Sequence, residues 1–381
     1  MPVSAEALSI DQLSLVNFRN YARLRLEIGR RHVVLTGANG AGKTNLLEAV
    51  SLLAPGRGLR GVAFDAVQRR GTDDGWSISA EVDAGGLVVS LSTSYMSSGE
   101  SPMSRRVAVD GIPQRGHAGL GRHMRILWLT PTMDRLFSGP PADRRRFLDR
   151  LVTAIDPAHA GRVSAFDRLL RERRRLLQSD GDRVWLDSVE HRLAEEGVAL
   201  AAGRISALDA LRGHIRRESE GGAFPWVSLN LVGEFEERLA ATPAVQVEDE
   251  YRKILLDSRP LDRTTGRTLR GPHRSDMGVT HGPKGIPAGI CSTGEQKALL
   301  IGIILAQARA VASAHAGGAP VLLFDEGLAH LDTERRLGLF GEIAALGAQS
   351  WFSGTDQVLF HGFDDDRLRL VIADGAATPI G

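Results

Sequence analysis

Gly37-Ala38-Asn39-Gly40-Ala41-Gly42-Lys43-Thr44 decides the reading of this chain, because its glycine spacing and terminal Lys-Thr match the P-loop pattern. The flanks fit that pattern. Arg31 to Thr36 reads as a short buried strand, and Leu46, Leu47, Ala49, Val50 and Leu53 mark one face of a following helix. Glycines let successive backbone N–H groups turn toward phosphate oxygens, and the positive end of the next helix adds attraction. Lys43 is expected to reach the β- and γ-phosphates of a nucleoside triphosphate, and Thr44 to ligate Mg²⁺. The plain alternative is a glycine-rich turn with a chance Lys-Thr.

With 381 residues the chain can hold two or three lobes, since domains usually run about 100–150 residues. Lysine and arginine number 47 against 46 acidic residues, a net charge of +1, so any site for a polyanion must be local. Cys291 is the single cysteine, which rules out an intramolecular disulfide and a cysteine-based zinc site and fits a reducing compartment. Met1 to Ser9 has no basic stretch leading into an apolar core, and no run reaches the ~18 apolar residues of a membrane span. The expectation is a cytoplasmic protein with no membrane partner. Ala298 to Leu305, the most apolar stretch, reads as a buried helix.

Outward from the P-loop, alternation over Leu13–Phe18 and Leu24–Ile28 suggests paired strands. Trp76–Val82 and Leu87–Thr93 flank Ala84-Gly85-Gly86 as a hairpin, and Arg106–Val109 closes at Asp110-Gly111, so an antiparallel section follows the P-loop helix. Ile126–Leu129 is a further strand. From Pro141 the pattern turns helical, first with Phe147, Leu148, Leu151, Val152 and Ile155 on one face. Two longer series follow on either side of Ser179-Asp180-Gly181-Asp182 and read as a helical hairpin whose first arm extends ~30 Å. Gly221-Gly222 end that region, and a final α/β block begins near Thr268. The domains expected are 1–140 and 266–381, together a nucleotide-binding head, with a helical lobe over 141–265 between them.

Pro320 to Phe324 is an apolar strand ending in Asp325-Glu326, where a Walker B motif belongs. Ser292-Thr293-Gly294-Glu295-Gln296-Lys297 opens the buried helix before it, and Gly327 to Asp332 follows it. This order resembles the ATP-binding cassette family, with its Ser-x-Gly-x-Gln signature, Walker B strand and D-loop. The resemblance implies that Asp325 holds Mg²⁺ through water and that Glu326 positions or deprotonates the attacking water. It places Asp332 in the D-loop and sets Ser292, Gly294 and Gln296 against the γ-phosphate bound by Lys43 of a second copy. The alternative for Ser292 is a helix N-cap and no more.

Leu13 to Tyr21, the P-loop, Arg145 to Asp149, Gly271 to Asp276 and the signature occur in the order found in the RecF family of bacterial recombination and repair ATPases, which the chain resembles from residue 13 to its tail. That family sits with the SMC class of cassette ATPases. The resemblance implies an α/β cassette head with an antiparallel β section and an inserted helical lobe bearing a short hairpin. It also implies slow, DNA-stimulated ATP hydrolysis, an ATP-dependent homodimer and binding of single-stranded or gapped DNA. Recombinase loading, replication-fork maintenance, SOS induction and the partners RecR and RecO belong to the same expectation. Thr293 and Glu295 stand where RecF proteins more often carry glutamine. Ile126 to Leu136 contains no Q-loop glutamine, and Gly354-Thr355-Asp356 replaces a switch histidine, leaving Thr355 as the candidate γ-phosphate sensor.

Arg144-Arg145-Arg146 and Arg171-Glu172-Arg173-Arg174-Arg175 are the local basic clusters, and Arg173, Arg174 and Arg175 are the candidate DNA contacts. A solvated helix face is the ordinary reading of each. His273 and Arg274 are expected near the nucleotide or dimer surface, or in a structural hydrogen bond. Two other functions fit an ATPase head. A transporter subunit is opposed by the antiparallel opening, the inserted hairpin and the lack of a switch histidine. A repair nuclease lacks a visible metal-binding acidic domain.

Overall fold

The computed structural model describes residues 8–98, 101–179, 182–215, 223–315, 318–363 and 366–380. In chain order it contains β1 (Leu8–Phe18), β2 (Tyr21–Glu27), β3 (His32–Thr36), α1 (Lys43–Ser51), β4 (Trp76–Ala84), β5 (Val88–Ser98), β6 (Ser101–Val109), β7 (Ile112–Pro113) and β8 (Ile126–Leu129). Next come α2 (Pro141–Ile155), α3 (His159–Gln178), α4 (Arg183–Gly213), β9 (Val227–Val232), α5 (Glu234–Ala241), α6 (Ala244–Asp257), α7 (Arg259–Thr265), β10 (Asp276–His281) and β11 (Ile286–Pro287). The chain continues through α8 (Thr293–Ala314), β12 (Val321–Phe324), α9 (Thr333–Leu346), β13 (Ser350–Ser353), β14 (Arg367–Ala373) and β15 (Ala376–Ile380).

Two compact units result: Met1–Arg135 with His214–Trp226 and Ser292–Gly381, and Leu136–Gly213 with Val227–Cys291. The first unit holds two six-stranded sheets, one in the order β2-β1-β4-β5-β6-β7 and one in the order β15-β14-β3-β13-β12-β8. The first sheet is antiparallel throughout. In the second, β14, β3, β13, β12 and β8 run parallel, and β15 is an antiparallel edge. The expected strands thus separate: β1 and β2 join the antiparallel sheet, while β3 enters the parallel one. Alternation in β1 breaks at Asn17, whose φ of 52° lets Phe18 turn into the core against Trp76. Residues 3₁₀-helical at Pro131–Arg135 end this first segment.

Helix α8 is long and apolar enough to cross a membrane by length and composition. Its side chains from Ala298 to Leu305 are nevertheless buried, Gly302 excepted, as expected of a core helix. In the second unit α3 packs on α4, forming the short hairpin, and its 20 residues extend about 30 Å. Its expected turn at Asp180-Gly181 and the Gly221-Gly222 break lie outside the described residues. Residues 266–291 lie in this unit, because β10 pairs with β9 from Met277↔Leu231 to His281↔Val227. Phe166, Leu169, Leu193, Val198, Tyr251 and Leu255 form its core.

Candidate nucleotide site

The parallel register brings separate sequence segments to one edge of the sheet. Phe324 lies opposite Phe352, Ser353 lies opposite Leu35, and the Gly354 N–H donates to the Leu35 carbonyl at 3.0 Å. The P-loop, Asp325 and Ser353 therefore leave neighbouring strands at their carboxyl ends, where open α/β sheets bind ligands. The loop needs its glycines. Gly37 has φ +140°, and a Cβ there would sit 2.4 Å from the Ile372 carbonyl oxygen; Gly42 has φ +117°, and a Cβ would meet the Asn20 amide at 2.4 Å. Gly37→Ala is accordingly expected to cost about 1–3 kcal/mol of strain and to reduce ATP binding. Urea melting with a nucleotide titration checks it, and an unchanged variant would remove the close approach to β14 as a constraint.

Side chains from the Asn20-Tyr21 step that opens β2 hold the loop. Asn20 Nδ2 donates to the Ala41 carbonyl at 3.0 Å, Tyr21 Oη donates to the Gly42 carbonyl at 3.1 Å, and Asn45 Nδ2 donates to Asn20 Oδ1 at 2.8 Å. Arg19 and Arg60 pair with the buried Glu48 of α1. Residues 19–21 were legible only through the family resemblance, since these contacts bridge more than twenty residues. Helix α1 starts at Lys43 with no side-chain cap on its first turn. Lys43 Nζ donates to the Gly37 and Ala38 carbonyls at 2.6 and 2.9 Å and has no acidic partner among the described residues.

Thr44 Oγ1 donates into the Asp325 carboxylate at 2.9 and 3.0 Å. Ser353 Oγ donates to Asp325 Oδ1 at 2.7 Å and accepts the Glu326 N–H at 2.9 Å. Ser353, not Thr355, is thus the hydroxyl tied to the two acids. Thr355 is exposed beyond the strand end. Asp325 is buried, whereas Glu326 is exposed and holds a left-handed backbone at φ 51°. Buried Lys297 donates to the Glu326 carbonyl at 3.2 Å and lies 4.0 Å from Asp134; burial holds its ammonium below the ordinary lysine range. The start of α8 is thereby tied to the end of β12.

At the start of α8 Ser292 is an N-cap in a reciprocal capping box. Its Oγ accepts the Glu295 N–H at 3.4 Å, while Glu295 Oε2 accepts from Ser292 N and Oγ at 2.9 and 2.8 Å. Ser292 is exposed, Gly294 half-buried and Gln296 buried. Asp332 caps α9 by accepting the Arg335 N–H at 2.8 Å. A loop that admits no Cβ at Gly37 and Gly42, a lysine held only by carbonyls and a helix start without a cap fit a polyphosphate. The hydroxyl and carboxylate of Thr44 and Asp325 fit Mg²⁺, which is held by one or two carboxylates with substrate phosphates. No group of three His, Cys, Asp or Glu capable of caging a metal occurs among the described residues, and such a site requires none.

In the second unit the arginine run splits by helical period. Arg173 is fully buried, with Nε donating to Glu190 at 2.8 Å, Nη1 to Asp262 and Thr268 at 2.7 and 2.8 Å, and Nη2 to the Leu255 carbonyl at 2.8 Å. The expectation that Arg173 contacts DNA is corrected: every face of its guanidinium is used inside the unit. Arg174 and Arg175 are exposed. Arg144 chelates Asp276 at 2.7 and 2.8 Å and Arg145 donates to the Ser275 carbonyl at 2.7 Å, so two of the other cluster fasten α2 to the Gly271–Asp276 block, while Arg146 is exposed and pairs with Asp143 of its own helix. His273 Nε2 donates to the Thr268 carbonyl at 2.8 Å, and burial pushes its pKa down to about 4. It is a neutral structural group.

A P-loop beside an acid-terminated parallel strand, a capped signature helix and an adjoining antiparallel sheet define an ATPase head of the ATP-binding cassette type. No family model matches the chain. It is 47% identical over 367 residues to the DNA replication and repair protein RecF of Rhizobium meliloti (strain 1021), covering 96% of this chain and 97% of that relative. The solved recombination mediator protein RecF-ATP in the RecFOR pathway superposes with a TM-score of 0.82 at 21% identity over all of both chains. An Smc head domain from Pyrococcus furiosus, with an extended coiled coil, gives 0.51 at 15% identity over 98% of this chain and 96% of that one. The chain belongs to the RecF family. Near-full-length identity to a repair protein disfavours the transporter reading.

Proposed function

We propose that this chain is a cytoplasmic ATPase of DNA replication and recombinational repair whose ATP-bound form pairs two copies and holds DNA. The observation that carries the chemistry is the contact of Thr44 with Asp325 beside Glu326, at the mouth of a P-loop. Lys43 would exchange its two carbonyl partners for the β- and γ-phosphates, and Thr44 and Asp325 would hold Mg²⁺. The metal supplies charge neutralisation between phosphate oxygens when bound. Ser353 fixes the Asp325 carboxylate and the Glu326 backbone. Glu326 orients a water and accepts its proton. RecR, RecO and a single-stranded or gapped duplex come to this chain from its family and from the pathway in which the solved relative is described.

Pairing would set Ser292, Gly294 and the α8 N-terminus against the phosphate held by the other copy. The capping box makes a specific demand on this chain. Glu295 occupies both donors of Ser292 and brings a negative charge to the helix end, so an incoming phosphate must displace it. Ser292→Arg is expected to abolish ATP-dependent dimers with nucleotide binding retained, and Glu295→Gln to strengthen them several-fold. Light scattering with and without ATP, alongside DNA titration, tests the whole reading. A dimer indifferent to ATP and to Ser292→Arg would refute the shared site.

A further inference from the structure

The buried face of α3 carries Phe166, Leu169, Arg173 and Leu177, at spacings of three and four residues. Arg168, Arg171 and Arg175 fall on the opposite face, again at three and four, and all three are exposed without an ion pair among the described residues. Arg174 in the same run and Arg183 at the start of α4 are also exposed. Two acids flank this row, Asp167 and Glu172, and Glu172 accepts a hydrogen bond from Trp185 Nε1 at 2.9 Å. Glu172 is four residues from Arg168 and three from Arg175, so that bond brings the indole edge to the side of α3 that carries those two arginines. Trp185 remains 54% exposed, and Val184 next to it is 76% exposed. A large aromatic at the tip of a helical hairpin, its polar edge spent on Glu172 of the other arm, still leaves about half of its surface open beside guanidiniums that have no ion pair among the described residues.

We infer that the outer face of α3 and Trp185 form a track for an unpaired nucleic-acid strand, with phosphates on Arg168, Arg171 and Arg175 and a base stacked on Trp185. This rests on the DNA-binding reading and deepens it by naming the strand recognised. Phosphate neutralisation by a row of arginines carries no sequence code. An exposed indole face is reachable by a base only where the duplex has opened, so the pairing of charge with one aromatic selects single-stranded segments over intact helix. Arg173, although inside the same run, is excluded by its place on the buried face.

The test titrates labelled oligothymidine and blunt duplex with the full chain and ATP at several salt concentrations. Replacing Arg168, Arg171 and Arg175 together by alanine is expected to lower the salt slope on the single strand by about 2, since each phosphate contributes about 0.7. Trp185→Ala is expected to weaken the single strand roughly tenfold or more, as for one lost base stack, and Trp185→Phe to keep most of the affinity. ATP turnover measured without DNA should be unchanged in all three. Variants that bind like the wild type, or a Trp185→Ala loss equal on single strand and duplex, would overturn the track while the DNA reading stands. A wild-type chain that binds neither DNA would overturn both.

Discussion

Glu326→Gln is expected to retain ATP and lose turnover by roughly 10²–10⁴-fold, the usual contribution of a positioned general base. The backbone at Glu326 is over-determined: its N–H is held by Ser353, its carbonyl by Lys297, and its φ of 51° is one that few non-glycine residues adopt. Such a conformation persists where surrounding contacts enforce it, as at a site that must hold a side chain in place. Glutamine preserves the size and removes the proton acceptor. Lys43→Ala should fail differently, by weakening ATP binding, because it deletes the cation of the phosphate cradle. Phosphate release and equilibrium nucleotide binding separate the two variants, and normal turnover in Glu326→Gln would take the residue out of catalysis.

What the sequence discloses here follows the distance over which each feature is encoded. The P-loop, the strand ending in Asp325-Glu326 and the Ser292 cap are local, so spacing alone reveals them. Ser353 is different, because its role depends on the parallel register that sets β13 between β3 and β12, which no local pattern specifies. Strands of the opening segment were legible as strands, but not their division between two sheets, since alternation fixes a face and not a partner. Residues 266–291 look like the start of the final α/β block, yet β10 takes its partner from β9 and so joins the other unit. For Arg173 a signal did exist. It sits four residues after Leu169 and four before Leu177, on the apolar stripe, and a reading by charge run alone overlooks that spacing.

Arg173→Ala is therefore expected to cost about 3–5 kcal/mol of stability, the penalty for removing one partner from a buried ionic network. Asp262 and Glu190 would stay behind as buried carboxylates, Asp262 with bonds from Ser258 and the Leu269 N–H, Glu190 with Arg259. Those remaining bonds soften the loss without replacing the guanidinium at the junction of α3, α4 and α7. Arg173→Lys should recover only part of it, because one ammonium cannot reach the two carboxylates, the Thr268 hydroxyl and the Leu255 carbonyl from the directions a planar fork serves. Arg174→Ala and Arg175→Ala, exposed one and two residues further on, should shift stability by about 0.5 kcal/mol or less. Urea unfolding of the four variants decides it, and an Arg173→Ala midpoint equal to that of Arg174→Ala would deny the network its structural role. The comparison also guards the DNA experiments: any loss of DNA binding on mutating Arg173 reports a loosened second unit, whereas the same loss at Arg175 with unchanged unfolding reports a phosphate contact.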